Sequence, residues 1–95
     1  MKPLRQKMLD DLQLRNYSGQ TIRAYLRCVA SFAKHFGQSP DQLGGPHVRE
    51  YQIYLVKEKQ CSWSHFNQTV CALRFFYNTT LGRKEMIEEI PYPGL

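Results

Sequence analysis

Apolar positions recur along this chain at helical spacing in four stretches, and no stretch alternates with the two-residue period of a strand. The first opens near Pro3, carries Leu4, Met8, Leu9 and Leu12 on one side, and ends around Leu14 to Asn16. The second is the sharpest. Ser18 stands at an N-cap position with Gln20 and Thr21 in the first turn. Ile22, Tyr25, Leu26, Val29, Phe32, Ala33 and Phe36 then follow one face, and Gly37 is placed to stop the helix. After a loop containing Ser39-Pro40-Asp41 and Gly44-Gly45-Pro46, a third segment runs from about His47 to Lys59. Val48, Tyr51 and Leu55 point inward there, joined by Ile53 or Val56. A fourth opens at Ser62 or Ser64 and continues to about Leu81, burying Phe66, Val70, Leu73, Phe76 or Tyr77, and Leu81, with Gly82 closing it. Four helices with short connections predict an all-α, compact four-helix bundle that folds as one unit, since none is long enough to persist alone.

The chain has 95 residues, enough for one domain and one modest core. Hydrophobic residues make up 42% of it, too many for a disordered tail. Thirteen Lys and Arg against eight Asp and Glu leave a formal charge of +5, which fits a polyanionic partner. Cys28, Cys61 and Cys71 are odd in number and lack metal-ligand spacing, so they read as free thiols of a reducing, cytoplasmic compartment. No charged start followed by an apolar core marks a signal peptide, and no stretch approaches a membrane span, so no membrane partner is expected.

Enzymatic chemistry finds no foothold. Gly44-Gly45-Pro46 lacks the Lys-Ser/Thr of a phosphate loop, and His35, His47 and His65 fall on different elements. The carboxylate pairs Asp10-Asp11 and Glu88-Glu89 lie on polar segments, and Cys28 sits among buried positions as a core thiol. No cofactor, metal or small-molecule ligand is indicated. The polar faces say more. Opposite its apolar stripe the second helix presents Arg23, Arg27 and Lys34, with the small Ala30 and Ser31 between, and it contains no Asp or Glu. A one-signed face with room for close approach suits a phosphate backbone. Ser18, Gln20 and Thr21 flank the positive end of its dipole, a natural phosphate seat. The fourth helix opens Ser62-Trp63-Ser64-His65-Phe66-Asn67-Gln68-Thr69, with Arg74 farther along, and has no Lys. Its forked amide and guanidinium groups suit base edges in a major groove. Trp63 reads as a packing anchor.

These stretches resemble a known family. Tyr17-Ser18-Gly19-Gln20-Thr21-Ile22-Arg23-Ala24-Tyr25 follows the pattern Y-S-x-x-T-x-x-x-Y of the N-terminal, SAM-like core-binding domain of tyrosine recombinases, the phage integrases. Ser62, Asn67 and Ala72-Leu73-Arg74-Phe75-Phe76-Tyr77 match S-x-x-x-x-N-x-x-x-x-A-L-R-x-F-Y in register with it. The resemblance implies a non-enzymatic helical domain over residues 1–89 that clamps one face of double-stranded DNA at a recombination site. In such domains the start of the second helix and the fourth helix face the duplex. Here that means Ser18, Gln20, Thr21, Arg23 and Arg27, with Ser64, His65, Asn67, Gln68 and Arg74. It further implies recombinase protomers as neighbours on the same DNA, and catalytic residues in a separate C-terminal domain. Ile90-Pro91-Tyr92-Pro93 resembles the linker leading to that domain, so residues 90–95 are expected to begin one. The rival reading is a helical oligomerisation module, which an exposed apolar patch around Leu4, Met8 and Leu9 would favour.

Overall fold

The computed structural model describes residues 3–83, and its regular elements over them are all helical, with no strand. Helix α1 spans Pro3–Leu14, α2 Gly19–Phe36, α3 Gly45–Lys57 and α4 Trp63–Phe75. A 3₁₀ turn, Pro40–Gln42, lies between α2 and α3, and a single π-helical turn, Phe76–Thr80, extends α4. The expected domain boundary at residues 89 and 90 lies outside the described residues.

Local chemistry sets the helix ends. Asn16 takes φ 60°, and the Tyr17 N–H reaches back to the Leu12 carbonyl at 3.2 Å, closing α1. Gly37 does the same for α2 at φ 65°, with the Gln38 N–H on the Ala33 carbonyl at 3.3 Å. At the start of α3 the His47 ring turns back, its Nδ1 accepting the Gly44 N–H at 3.0 Å. Each device satisfies backbone groups that a helix terminus would otherwise strand.

Met8 and Leu12 of α1, Leu26, Val29 and Phe32 of α2, Val48, Tyr51 and Leu55 of α3, and Val70, Leu73, Phe76 and Tyr77 of α4 and its extension form one core. Both Phe76 and Tyr77 are buried, where one of the two was expected inward; the adjacent pairs Thr69–Val70 and Ala72–Leu73 are buried as well, so the apolar face of α4 and its extension is wider than one position per turn. In the π turn the Leu81 N–H bonds the Phe76 carbonyl at 3.0 Å, five residues back.

Two expectations need correction. Ile53 and Val56 do not point inward; they are 45% and 55% exposed, because α3 packs through the single stripe of Val48, Tyr51 and Leu55. Trp63 is no buried anchor: it is 55% exposed, its ring stacked on Phe66 at 5.2 Å and 12°. The exposed patch around Leu4, Met8 and Leu9 that would favour an oligomerisation module is absent among the described residues. Met8 is buried, and the two leucines lie half-buried against the core.

The chain segment between α2 and α3 is stitched down from the far end of the sequence. The buried Tyr77 hydroxyl donates to the Pro40 carbonyl at 2.6 Å. The Arg83 guanidinium donates to the carbonyls of Asp41, at 2.6 Å, and Leu43, at 3.4 Å. The buried Thr80 hydroxyl donates to the Asp11 carboxylate at 3.0 Å, tying the extension of α4 to α1.

Candidate nucleic-acid interface

Helices α2 and α4 lie side by side and antiparallel. Thr69 meets Cys28, its hydroxyl 3.6 Å from the thiol, while two turns toward the other end of α4 Phe75 meets Tyr25, with ring centroids 6.3 Å apart. The Thr69 hydroxyl also donates to the His65 carbonyl at 2.9 Å, which satisfies a buried polar group on the seam. Burial pushes the Cys28 thiol above its usual range, against the smaller opposing effects of the Thr69 hydroxyl and the Arg27 charge. A protonated, buried thiol is a packing group, as expected for Cys28.

The seam opens outward into a concavity of about 360 Å³ lined by Gln20, Thr21, Arg23, Ala24 and Arg27 of α2 and by Gln68 of α4. Five of the residues singled out from sequence therefore meet in one place, with the small Ala24 between them. Ser18 caps α2, its hydroxyl oxygen accepting the Thr21 N–H at 3.2 Å and donating to the Thr21 hydroxyl at 3.0 Å. The Arg23 guanidinium folds back toward this end, its Nη1 3.7 Å from where a Cβ on Gly19 would stand. Neither α2 nor α4 contains an acidic residue, and none occurs between Asp11 and Asp41 or between Glu58 and Glu85. Neither helix therefore sets a carboxylate against the cations of the concavity.

The remaining expected residues spread around it. Ser64 is exposed and His65 half-buried in the first turn of α4, which Ser62 caps by accepting the His65 N–H at 3.2 Å. Because the helices are antiparallel, this end lies beside the carboxyl half of α2, far from Ser18. Lys34 lines a different hollow, an apolar one of about 760 Å³ between α1 and α2 that it shares with Leu4, Arg5 and Met8. Asn67 and Arg74 are half-buried, on a stripe of α4 roughly a third of a turn round from Gln68. The Asn67 Oδ1 is buried and accepts no hydrogen bond among the described residues.

At the Ser18 end, Tyr17, Tyr25 and Phe75 form an aromatic cluster, with Tyr17 5.7 Å from Tyr25 and 5.6 Å from Phe75. The Arg15 guanidinium lies over the Phe75 ring, 5.7 Å from its centroid. No cluster of three metal-ligating side chains occurs among the described residues, and no helix among them is long and apolar enough to cross a membrane.

Comparison with known proteins converges on one family. Residues 4–86 match the family model described as the phage integrase N-terminal, SAM-like domain. The chain is 46% identical over 94 residues to y4qK of Sinorhizobium fredii (strain NBRC 101917 / NGR234), a protein described as an integrase/recombinase, covering 98% of this chain and 30% of that one. It is 36% identical over 87 residues to an integrase/recombinase of Escherichia coli and, equally, to one of Pseudomonas aeruginosa, covering 85% of this chain and 26% of each. The chain thus spans less than a third of the length of these relatives. No solved structure matches it.

Proposed function

This chain belongs to the phage integrase N-terminal, SAM-like domain family, and from that membership we propose that it is the DNA-gripping part of a site-specific recombinase. In this reading it holds duplex DNA at a recombination site through the outer faces of α2 and α4. The observation that carries the reading is the concavity where Arg23, Arg27, Gln20 and Thr21 meet Gln68, on two helices free of acidic residues. Arg23 and Arg27 hold backbone phosphates; at the same end the Thr21 hydroxyl, accepting from Ser18, donates to the DNA backbone. Gln68, with Ser64 and His65 toward the amino end of α4, reads base edges, while Lys34, Asn67 and Arg74 stand at the margin of the contact. No bond-breaking step is assigned to these residues; cleavage belongs to a catalytic domain of the whole recombinase, and further protomers on the same DNA are its neighbours.

The test is a titration with duplex DNA across a salt series, comparing the wild type with Arg27→Ala and Gln68→Ala. Each phosphate contact contributes about 0.9 to the log-log slope of affinity against salt. Loss of one such contact therefore weakens binding about 15-fold at 0.05 M salt but only about 4-fold at 0.2 M. Arg27→Ala is expected to show this convergence with every DNA sequence alike. Gln68→Ala should leave the slope unchanged and flatten the preference recovered from a randomised duplex pool. Unchanged slope and preference in both variants would refute the proposal.

A further inference from the structure

We infer that Arg15, in the turn between α1 and α2, is a further phosphodiester contact of the same DNA surface, held in position by the face of Phe75. The inference rests on the DNA reading above and extends its phosphate row past the start of α2.

The placement follows from the register of α4. Phe75 lies seven residues, two helical turns, beyond Gln68 and so occupies the same stripe of the helix. Gln68 lines the concavity with Arg23 and Arg27, so the outer side of Phe75 looks the same way. The ring is backed by Tyr17 and Tyr25, which hold it half-buried. The Arg15 guanidinium covers its outer face at 5.7 Å. Arg15 therefore continues the row of cations formed by Arg23 and Arg27, at the end of α2 where Ser18 and Thr21 present their hydroxyls.

The guanidinium is also free to bind an anion. Among the described residues one of its five N–H donors is used, Nη1 to the Asp11 carbonyl at 3.2 Å, and the residue is exposed. Asp11 is the acidic group nearest in sequence, but its carboxylate takes the hydroxyl of the buried Thr80 at 3.0 Å. The donors that remain unused in an exposed guanidinium over an aromatic ring are open to solvent, and the fork they form matches two phosphate oxygens. The ring removes much of the rotamer freedom that a long exposed side chain would otherwise lose on binding, so Phe75 acts as a positioning residue.

Four variants of the chain, Arg15→Ala, Arg15→Lys, Phe75→Leu and Arg27→Ala, decide the matter, titrated with a mixed-sequence DNA duplex over a salt series and followed separately by thermal unfolding. Arg15→Ala is expected to lower the log-log slope by about 0.9 and to weaken binding about 8-fold at 0.1 M salt. Arg15→Lys should restore the slope, because the charge returns, but recover only part of the affinity, because the fork does not. Phe75→Leu should keep the slope and lose affinity. If Arg27→Ala lowers the slope and Arg15→Ala does not, Arg15 is a packing residue and this inference fails while the DNA reading stands. A fall in melting temperature without a change of slope in Arg15→Ala overturns it in the same way. If neither alanine variant changes the slope, the DNA reading itself fails.

Discussion

Replacing Tyr77 with Phe isolates the stitch between the α2–α3 connection and the far end of α4. The ring is fully buried, and its hydroxyl donates to the Pro40 carbonyl at 2.6 Å, 37 residues away. Phe fills nearly the same volume, so no cavity term enters. What is lost is one hydrogen bond, worth about 1 kcal/mol net, together with part of the cost of stranding a carbonyl, for a total of about 2 kcal/mol. The unfolding entropy of a domain this size is about 0.2 kcal/mol per kelvin, which converts the loss into a fall of roughly 10 °C in melting temperature. Circular dichroism melts of the two proteins measure it directly. The same pair, unfolded by urea at alkaline pH, supplies a sign check. Burial, the largest effect, raises the Tyr77 hydroxyl well above its ordinary value near 10, opposed by the Arg83 charge and aided by Asp41. The unfolded chain ionises first, so stability is complete below about pH 10 and falls as pH rises beyond it. Tyr77→Phe should fall less steeply there. A melting temperature within about 2 °C of wild type would refute the reasoning, because it would mean that water satisfies Pro40 as well as the tyrosine does.

Two further outcomes follow from burial and backbone shape. Cys28 should resist a thiol reagent at neutral pH under native conditions, while the half-exposed Cys61 and Cys71 react, a difference that mass spectrometry of the labelled chain resolves by site. Gly37→Ala should destabilise the domain by about 1 kcal/mol in urea unfolding, because φ 65° suits glycine and a Cβ there meets no steric clash beyond its own backbone.

How much of this could be read from residues alone depends on how local the cause is. Ser18 and Gly37 bound α2 as expected because an N-cap hydroxyl and a left-handed glycine act within a turn of themselves. The basic face of α2 was equally legible, since helical periodicity alone puts Arg23 beside Arg27. The limits of α3 were not. Whether Ile53 or Val56 faces the core depends on how many neighbours α3 has, and it packs through one stripe. Phe76 and Tyr77 are not alternatives: both are buried, because α4 and its extension are enclosed over a face wide enough to take neighbouring residues together, as at Thr69–Val70 and Ala72–Leu73. Within the candidate site, the union of Arg23, Arg27 and Gln68 needed the antiparallel register of α2 and α4, which the Thr69–Cys28 and Phe75–Tyr25 contacts set across more than 40 residues of sequence. Lys34 shares a helical face with Arg27 but is drawn into the hollow beside α1. Arg15 carried no signal at all, because its partner Phe75 is 60 residues away.

The hydrogen bond from Thr80 to Asp11 has a consequence for biosynthesis. It joins residues 69 apart, and with Tyr77 and Arg83 it lets the last described turns fasten both the first helix and the middle connection. On a ribosome, α1 and α2 must emerge and wait, able to pair with each other but with Met8 and Leu12 still lacking the rings of Phe76 and Tyr77. Closure is therefore late and nearly simultaneous everywhere. A nascent chain halted after α3 should remain protease-sensitive, and one extended far enough to free Arg83 from the exit tunnel should become resistant in a single step. In a longer polypeptide, whatever is synthesised next would leave the tunnel tethered to a bundle that has only just locked.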